Sequence, residues 1–183
     1  MTPQQAYWVV LDNPEIDIKW YQNIVCKSPL YAYYFARDID TANIEKCQKA
    51  ACKDSMCAFK FAQDIKGADI KKCQEAACKE PIYAFKFAKN IKAADVEYCQ
   101  EAACKDSYSA YEFAISIKGA DIEKCQKAAC KESCYAYWFA KDIKNANIEY
   151  CQKVACKSPY YAKLFGQNII GADKKKCNIY SIL

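Results

Sequence analysis

In the stretch Cys52–Ala77, CKDSMCAFKFAQDIKGADIKKCQEAA, the apolar residues Ala58, Phe61, Ala62 and Ile65 fall at i, i+3, i+4 and i+7. That spacing lines one face of a helix. Asp54 stands where an N-cap belongs, with Ser55 as the first helical residue. Lys66-Gly67 closes the segment, because glycine just past a helix end takes the left-handed conformation without strain. Asp69 then caps a second helix, expected over about Ile70 to Cys78, with Ile70, Cys73 and Ala77 inward and Ala76 and Cys78 on the flank. Its opposite face is charged and predicts i,i+4 pairs: Lys71–Glu75, and in other repeats Glu45–Lys49, Glu123–Lys127 and Glu149–Lys153. The pattern predicts two short antiparallel helices joined by a tight turn.

The same pattern recurs along the whole chain. Cys47, Cys73, Cys99, Cys125, Cys151 and Cys177 are each 26 residues apart, as are Cys26, Cys52, Cys78, Cys104, Cys130 and Cys156. A fixed period of this length marks a stacked array. The repeats are 1–25, 26–51, 52–77, 78–103, 104–129, 130–155 and 156–183. The predicted fold is therefore an all-α solenoid of seven tandem two-helix repeats, forming one domain over 1–183. Proline opens the first helix at Pro29, Pro81 and Pro159, where its missing N–H has no partner to lose. Asn43, Asp95, Asp121, Asn147 and Asp173 repeat the second cap. At the turn glycine, Asn145 is a tolerated replacement and Ala93 an exception. Tyr33, Phe59, Phe85, Tyr111 and Tyr137 flank the core face and read as packing residues.

Composition changes this picture little. No run of about 18 apolar residues is present, and MTPQQAYWVV lacks the basic and apolar regions of a secretory leader, so a cytoplasmic protein is expected. Among the 14 cysteines, Cys73 and Cys78 lie five apart on one helix, about 140° around its axis, which excludes an intrahelical disulfide. The thiols read as small buried hydrophobes of a reducing compartment. With no histidine and no C-x-x-C pair, neither a metal site nor a cofactor is expected. The net charge of +5 comes largely from two lysine ladders (Lys27, Lys53, Lys79, Lys105, Lys131, Lys157, and Lys66, Lys92, Lys118, Lys144) placed at helix C-termini, where a cation complements the dipole.

No catalytic constellation is visible, so the chain reads as a non-enzyme. A repeating scaffold reports on a partner through residues that break the pattern at outward positions. Ile115, Trp138 and Leu164 replace the polar residues seen at Lys60 and Gln63, and Tyr108 and Tyr160 lie one turn earlier on the same side. On the second helix, Tyr98 and Tyr150 replace Lys46, Lys72 and Lys124. An exposed apolar stripe of this composition fits a protein partner. The terminal repeats are apolar too. Trp8 and Leu11 at one end, and Ile179, Tyr180, Ile182 and Leu183 at the other, either fold over the terminal core or meet another subunit. Two alternatives stay open: an RNA- or DNA-binding solenoid, since lysines interleave with aromatics, and a structural homo-oligomer.

The unit visible as Ser28–Ile39 plus the linker Lys66-Gly67-Ala68-Asp69, S-P-x-Y-A-Y-x-F-A-x-x-I-K-G-A-D, resembles short repeats found in bacteriophage and bacterial proteins. Those read Ser/Asp-Pro-x-x-Ala-Tyr-x-Tyr-Ala followed by an Ile-Lys-Gly linker. The resemblance covers nearly the whole chain, and its motif is structural, with no catalytic residues to transfer. The linker departs from it at Asp40-Thr41 and at Ala93. What it implies is a phage or mobile-element origin, and a small protein that occludes a host defence complex such as a CRISPR effector.

Overall fold

The computed structural model describes residues 1–13 and 15–179. Among them are fourteen helices and no strand. They form two compact units, Met1–Asp95 and Val96–Leu183. The first holds α1 (Pro3–Asp12), α2 (Ile18–Val25), α3 (Pro29–Asp38), α4 (Ile44–Ala51), α5 (Ser55–Asp64), α6 (Ile70–Ala77) and α7 (Pro81–Asn90). The second holds α8 (Val96–Ala103), α9 (Ser107–Ser116), α10 (Ile122–Ala129), α11 (Ser133–Asp142), α12 (Ile148–Ala155), α13 (Pro159–Asn168) and α14 (Lys174–Ile179). The chain is an all-α repeat solenoid with the 26-residue period of its sequence. Odd-numbered helices are the first helix of each repeat, and even-numbered helices the second.

Within each unit the same positions build the core. Ala32, Ala58 and Ala84, and then Ala110, Ala136 and Ala162, are fully buried. So are Phe35, Phe61 and Phe87, and then Phe113, Phe139 and Phe165. Each buried phenylalanine contributes about 1.5–3 kcal/mol, while the alanine one turn before lets the next repeat approach closely. Odd helices pack on odd helices, α1 on α3, α3 on α5, α5 on α7, and likewise α9 on α11 and α11 on α13. Tyr33, Phe59, Phe85 and Tyr137 are buried, as a packing role requires, and Tyr111 is half-buried. Of the charged pairs expected on the second helices, only Glu123–Lys127 forms among the described residues.

The turn between the two helices does not depend on glycine. The amides of Ala42, Ala68, Ala94, Ala120, Ala146 and Ala172 each donate to the carbonyl three residues earlier, at 2.9–3.3 Å. Gly67, Gly119 and Gly171 sit at φ +84 to +85°, as the third residue of a type II turn requires. Thr41, Ala93 and Asn145 fill that place without positive φ, as in a type I turn. The turn changes type and keeps its closing bond.

Even-numbered helices are tied together by a residue that the apolar pattern hides. Gln22, Gln48, Gln74, Gln100, Gln126 and Gln152 are only 4–6% exposed. Each reaches the N-cap residue of the next repeat's second helix, Asn43, Asp69, Asp95, Asp121, Asn147 and Asp173 in turn. Its Nε2 donates to that residue's carbonyl at 2.7–2.8 Å. Its Oε1 accepts that residue's N–H at 2.9–3.3 Å. The N-cap N–H points away from its own helix and has no helical acceptor, so the glutamine supplies one. The carbonyl also accepts the first helical bond, as from Cys73 N at 3.1 Å, and so uses both lone pairs.

Odd helices carry a second cross-repeat bond with a 31-residue spacing. The Tyr7 hydroxyl donates to Asp38 at 2.7 Å, Tyr33 to Asp64 at 2.5 Å and Tyr111 to Asp142 at 2.7 Å. In the last such pair Asn168 Nδ2 donates to the Tyr137 hydroxyl at 3.3 Å. Where phenylalanine stands instead, at Phe59, the matching Asn90 turns to its own helix and donates to the Lys86 carbonyl at 2.8 Å. Burial, then the bond to Asp38, pushes the Tyr7 phenol up to about 12. Arg37 beside it, and next the Tyr7 hydroxyl, hold the Asp38 carboxyl below its ordinary value.

Two outcomes follow. Gln48→Leu removes both bonds to Asp69 and strands a buried N–H, so it should lower stability by about 2–4 kcal/mol in urea titration. Tyr7→Phe should cost about 1 kcal/mol at neutral pH. Because the folded phenol titrates at about 12 and a free one near 10, the wild-type advantage is complete below pH 10 and falls as pH rises from 10 to 12, and the difference between the two values, worth about 2.7 kcal/mol, exceeds it. Stability measured across that window should show the two proteins converging and then crossing.

Candidate partner-binding surface

All seven residues expected to bind a partner lie in Val96–Leu183. On the odd helices Tyr108 and Ile115 of α9, Trp138 of α11 and Tyr160 of α13 are exposed, by 42%, 47%, 40% and 65%. Leu164 is half-buried. On the even helices Tyr98 of α8 and Tyr150 of α12 are exposed. In the other unit the central repeats carry Lys60, Gln63, Lys86 and Lys89 at the positions of Trp138 and Ile115.

The structure joins some of these residues and separates others. Trp138 meets Tyr137 edge-on at 5.1 Å between ring centroids. Tyr137 lies 6.0 Å from Tyr161, which meets Tyr160 edge-on at 5.0 Å. A continuous row of four rings therefore runs from Trp138 on α11 to Tyr160 on α13, open to solvent at both ends. Lys141 Nζ lies 4.7 Å above the Trp138 ring, a cation–π contact one turn along the helix. Tyr108 belongs to a second group with Tyr135 and Tyr111, at centroid distances of 6.0 and 6.2 Å.

Ile115 and Tyr150 line two grooves instead. One, of about 220 Å³, is lined by Ala114, Ile115, Ile122, Asp142, Ile143, Lys144 and Asn145. The other, of about 340 Å³, is bounded by Ile122, Gln126, Asn147 and Tyr150. Ile122 and Asn145 belong to both, so the grooves adjoin around the turn between α11 and α12.

Sequence reasoning missed Tyr135 and Tyr161, the rings that connect the exposed ones. Both are half-buried and sit at a position that varies between Tyr31, Cys57, Tyr83 and Ser109. It also missed Ile170, 95% exposed, which stands in the turn where four earlier repeats have lysine. The break in the lysine ladder was its signal.

At the other end of the chain Trp8 is 50% exposed and Leu11 38%, so neither folds over the core of the first repeat. Trp8 packs edge-on against Tyr7 at 5.2 Å, within a cluster that includes Tyr31, Tyr33 and Tyr34, the last capped by the Arg37 guanidinium at 4.9 Å. Ile179 is placed as the last residue of α14. Tyr180, Ile182 and Leu183 lie outside the described residues.

In Met1–Asp95 a groove of about 500 Å³ lies between α4 and α6. Lys49, Lys72 and Lys79 line it together with Glu45 and Glu75, so cations outnumber anions there by one and most of its charge is offset locally. Among the described residues no group of three or more His, Cys, Asp or Glu is arranged to hold a metal, and no helix is long and apolar enough to cross a membrane. Compared with protein-family models, with curated proteins and with solved structures, the chain has no match in any of the three.

Proposed function

We propose that the chain is a non-catalytic protein-binding scaffold and that its odd-helix surface around Trp138 and Tyr160 makes the contact. The row of rings Trp138–Tyr137–Tyr161–Tyr160 carries this reading. Its inner members are seated on packed helices and its outer members are exposed, so rigid aromatic area is offered at little entropic cost. Tryptophan and tyrosine dominate the energetics of protein interfaces for that reason. The two adjoining grooves beside Ile115 and Tyr150 extend the same kind of surface toward the even helices.

The finer reading rests on the resemblance of the repeat to those of phage and bacterial proteins. The partner is a host defence complex such as a CRISPR effector, met in the host cytoplasm. Inhibition occurs by occlusion, since no residue set for chemistry accompanies the surface. Exposed Trp8, Leu11 and Trp20 in the first repeat favour a second contact, between copies of the chain. Light scattering of the wild type against Trp8→Asp would separate that contact from partner binding.

A pull-down from bacterial lysate should recover a multisubunit complex, and purified chain should inhibit its nuclease step. Trp138→Lys with Tyr160→Lys should weaken binding at least about 30-fold, the loss of one 2 kcal/mol hot spot. Undiminished capture by this variant removes the surface from the reading. A nucleic-acid ligand would instead show an affinity that falls steeply with salt.

A further inference from the structure

Ten of the cysteines are arranged as cross-repeat pairs. The Sγ atoms of Cys26 and Cys47 are 4.0 Å apart, and those of Cys52 and Cys73 3.9 Å. In the second unit Cys104 and Cys125 are 3.8 Å apart, Cys130 and Cys151 3.6 Å, and Cys156 and Cys177 3.6 Å. The first member of each pair follows the last turn of one even helix. The second lies within the even helix of the next repeat. All ten are free thiols.

We propose that these pairs are peroxide-reactive dithiols, each of which closes to a disulfide that staples one repeat to the next. A disulfide bond is about 2.04 Å long, so each pair has no more than about 2 Å to close. The inner sulfur is already held in place. Glutamine Nε2 lies 2.9–3.2 Å from Cys47, Cys73, Cys125, Cys151 and Cys177 Sγ, the same group that clasps the N-cap.

Access divides the pairs. Cys26, Cys52 and Cys104 are half-buried and reach solvent, while Cys47, Cys73 and Cys125 are buried. The contact with the inner thiol is the main cause that lowers the outer one below its ordinary value in these three pairs. The same contact and burial raise the inner thiol. Because it is the member that reaches solvent, the outer cysteine is the attacking group and the buried inner one the resolving group. The Cys52 thiolate attacks one oxygen of hydrogen peroxide, forming an S–O bond and breaking O–O. Hydroxide leaves and takes a proton to become water. Cys73 then attacks the sulfenic sulfur, its own proton leaving with the displaced hydroxide as a second water. Two thiols and one peroxide give one disulfide and two waters. In the pairs 130–151 and 156–177 all four thiols are buried, and burial first of all pushes Cys156 up to about 12, so these should react more slowly.

The experiment treats the reduced full-length protein with hydrogen peroxide, blocks remaining thiols and maps peptides by mass spectrometry. Linked peptides 26–47, 52–73 and 104–125 should appear first, each lighter by two hydrogens and within one chain. Cys134 is also half-buried, but its sulfur contacts Glu132 rather than a thiol, so it should appear as an unlinked sulfenic or sulfinic acid. Oxidised protein should melt at a higher temperature than reduced protein, and reductant should reverse the shift. Cys52→Ser should erase only the 52–73 link and part of that shift, with Cys104→Ser as the parallel test in the other unit. Sulfinic Cys52 beside reduced Cys73, linked peptides of random pairing, or links between chains would each overturn the proposal. None of these outcomes bears on partner binding through Trp138.

Discussion

The glutamine clasp is the interaction on which the array depends. A helix begins with N–H groups that no helical carbonyl can reach, and in a stack of short helices those beginnings are buried against the neighbour. An unmet donor there costs about 1–3 kcal/mol, which would erase the gain from a buried phenylalanine. Here the N-cap side chain accepts from the first turn, as Asp69 does from Lys72 N, while the preceding repeat's glutamine answers the cap's own N–H and carbonyl. One residue of the next repeat is thereby fixed in three directions at once. The glutamine stands 21 positions before the cap it clasps and five after its own repeat's cap, and the two spans together make the 26-residue register.

With the even helices pinned, the odd helices need only pack. Their alanine–phenylalanine pairs bury apolar area, and tyrosine with aspartate adds a bond where the hydroxyl is present. Phe59 lacks that hydroxyl, and Asn90 keeps a bond to the Lys86 carbonyl of its own helix, as Asn168 does to Leu164 beside Tyr137. The turn absorbs Thr41, Ala93 and Asn145 by changing type. Each element between the clasps tolerates substitution, which frees outward positions to diverge. They have diverged unevenly: lysine and glutamine in the central repeats of Met1–Asp95, tryptophan, tyrosine and isoleucine in Val96–Leu183. An exposed aromatic and apolar surface confined to one unit is a consequence of that division of labour.

Much of this was legible because repetition turns one helical pattern into seven readings of it. The caps at Asn43, Asp69 and Asp121, the proline starts and the buried Ala58 and Phe61 all stood where periodicity put them. Exposure of Trp138 and Ile115 was legible from the same helical wheel. The clasp was not, because glutamine between cysteine and lysine looks like any polar flank of an amphipathic helix. Its strict recurrence was the only sign. The thiol pairs were also hidden: spacing along one helix only excludes Cys73 with Cys78, whereas the sulfur in contact with Cys73 belongs to the preceding repeat.

Sequence alone settled the class of fold, the period, the helix limits and the faces they bury, since these depend on contacts within a few turns of one helix and on the identity of caps. Tertiary structure decided everything that crosses from one repeat to the next. It paired Gln48 with Asp69, Tyr33 with Asp64 and Cys52 with Cys73, and it linked Trp138 to Tyr160 through the buried Tyr137 and the half-buried Tyr161. Those partners are 21 to 31 residues apart, and only the stacking offset between hairpins, a packing property of the folded chain, brings them within reach.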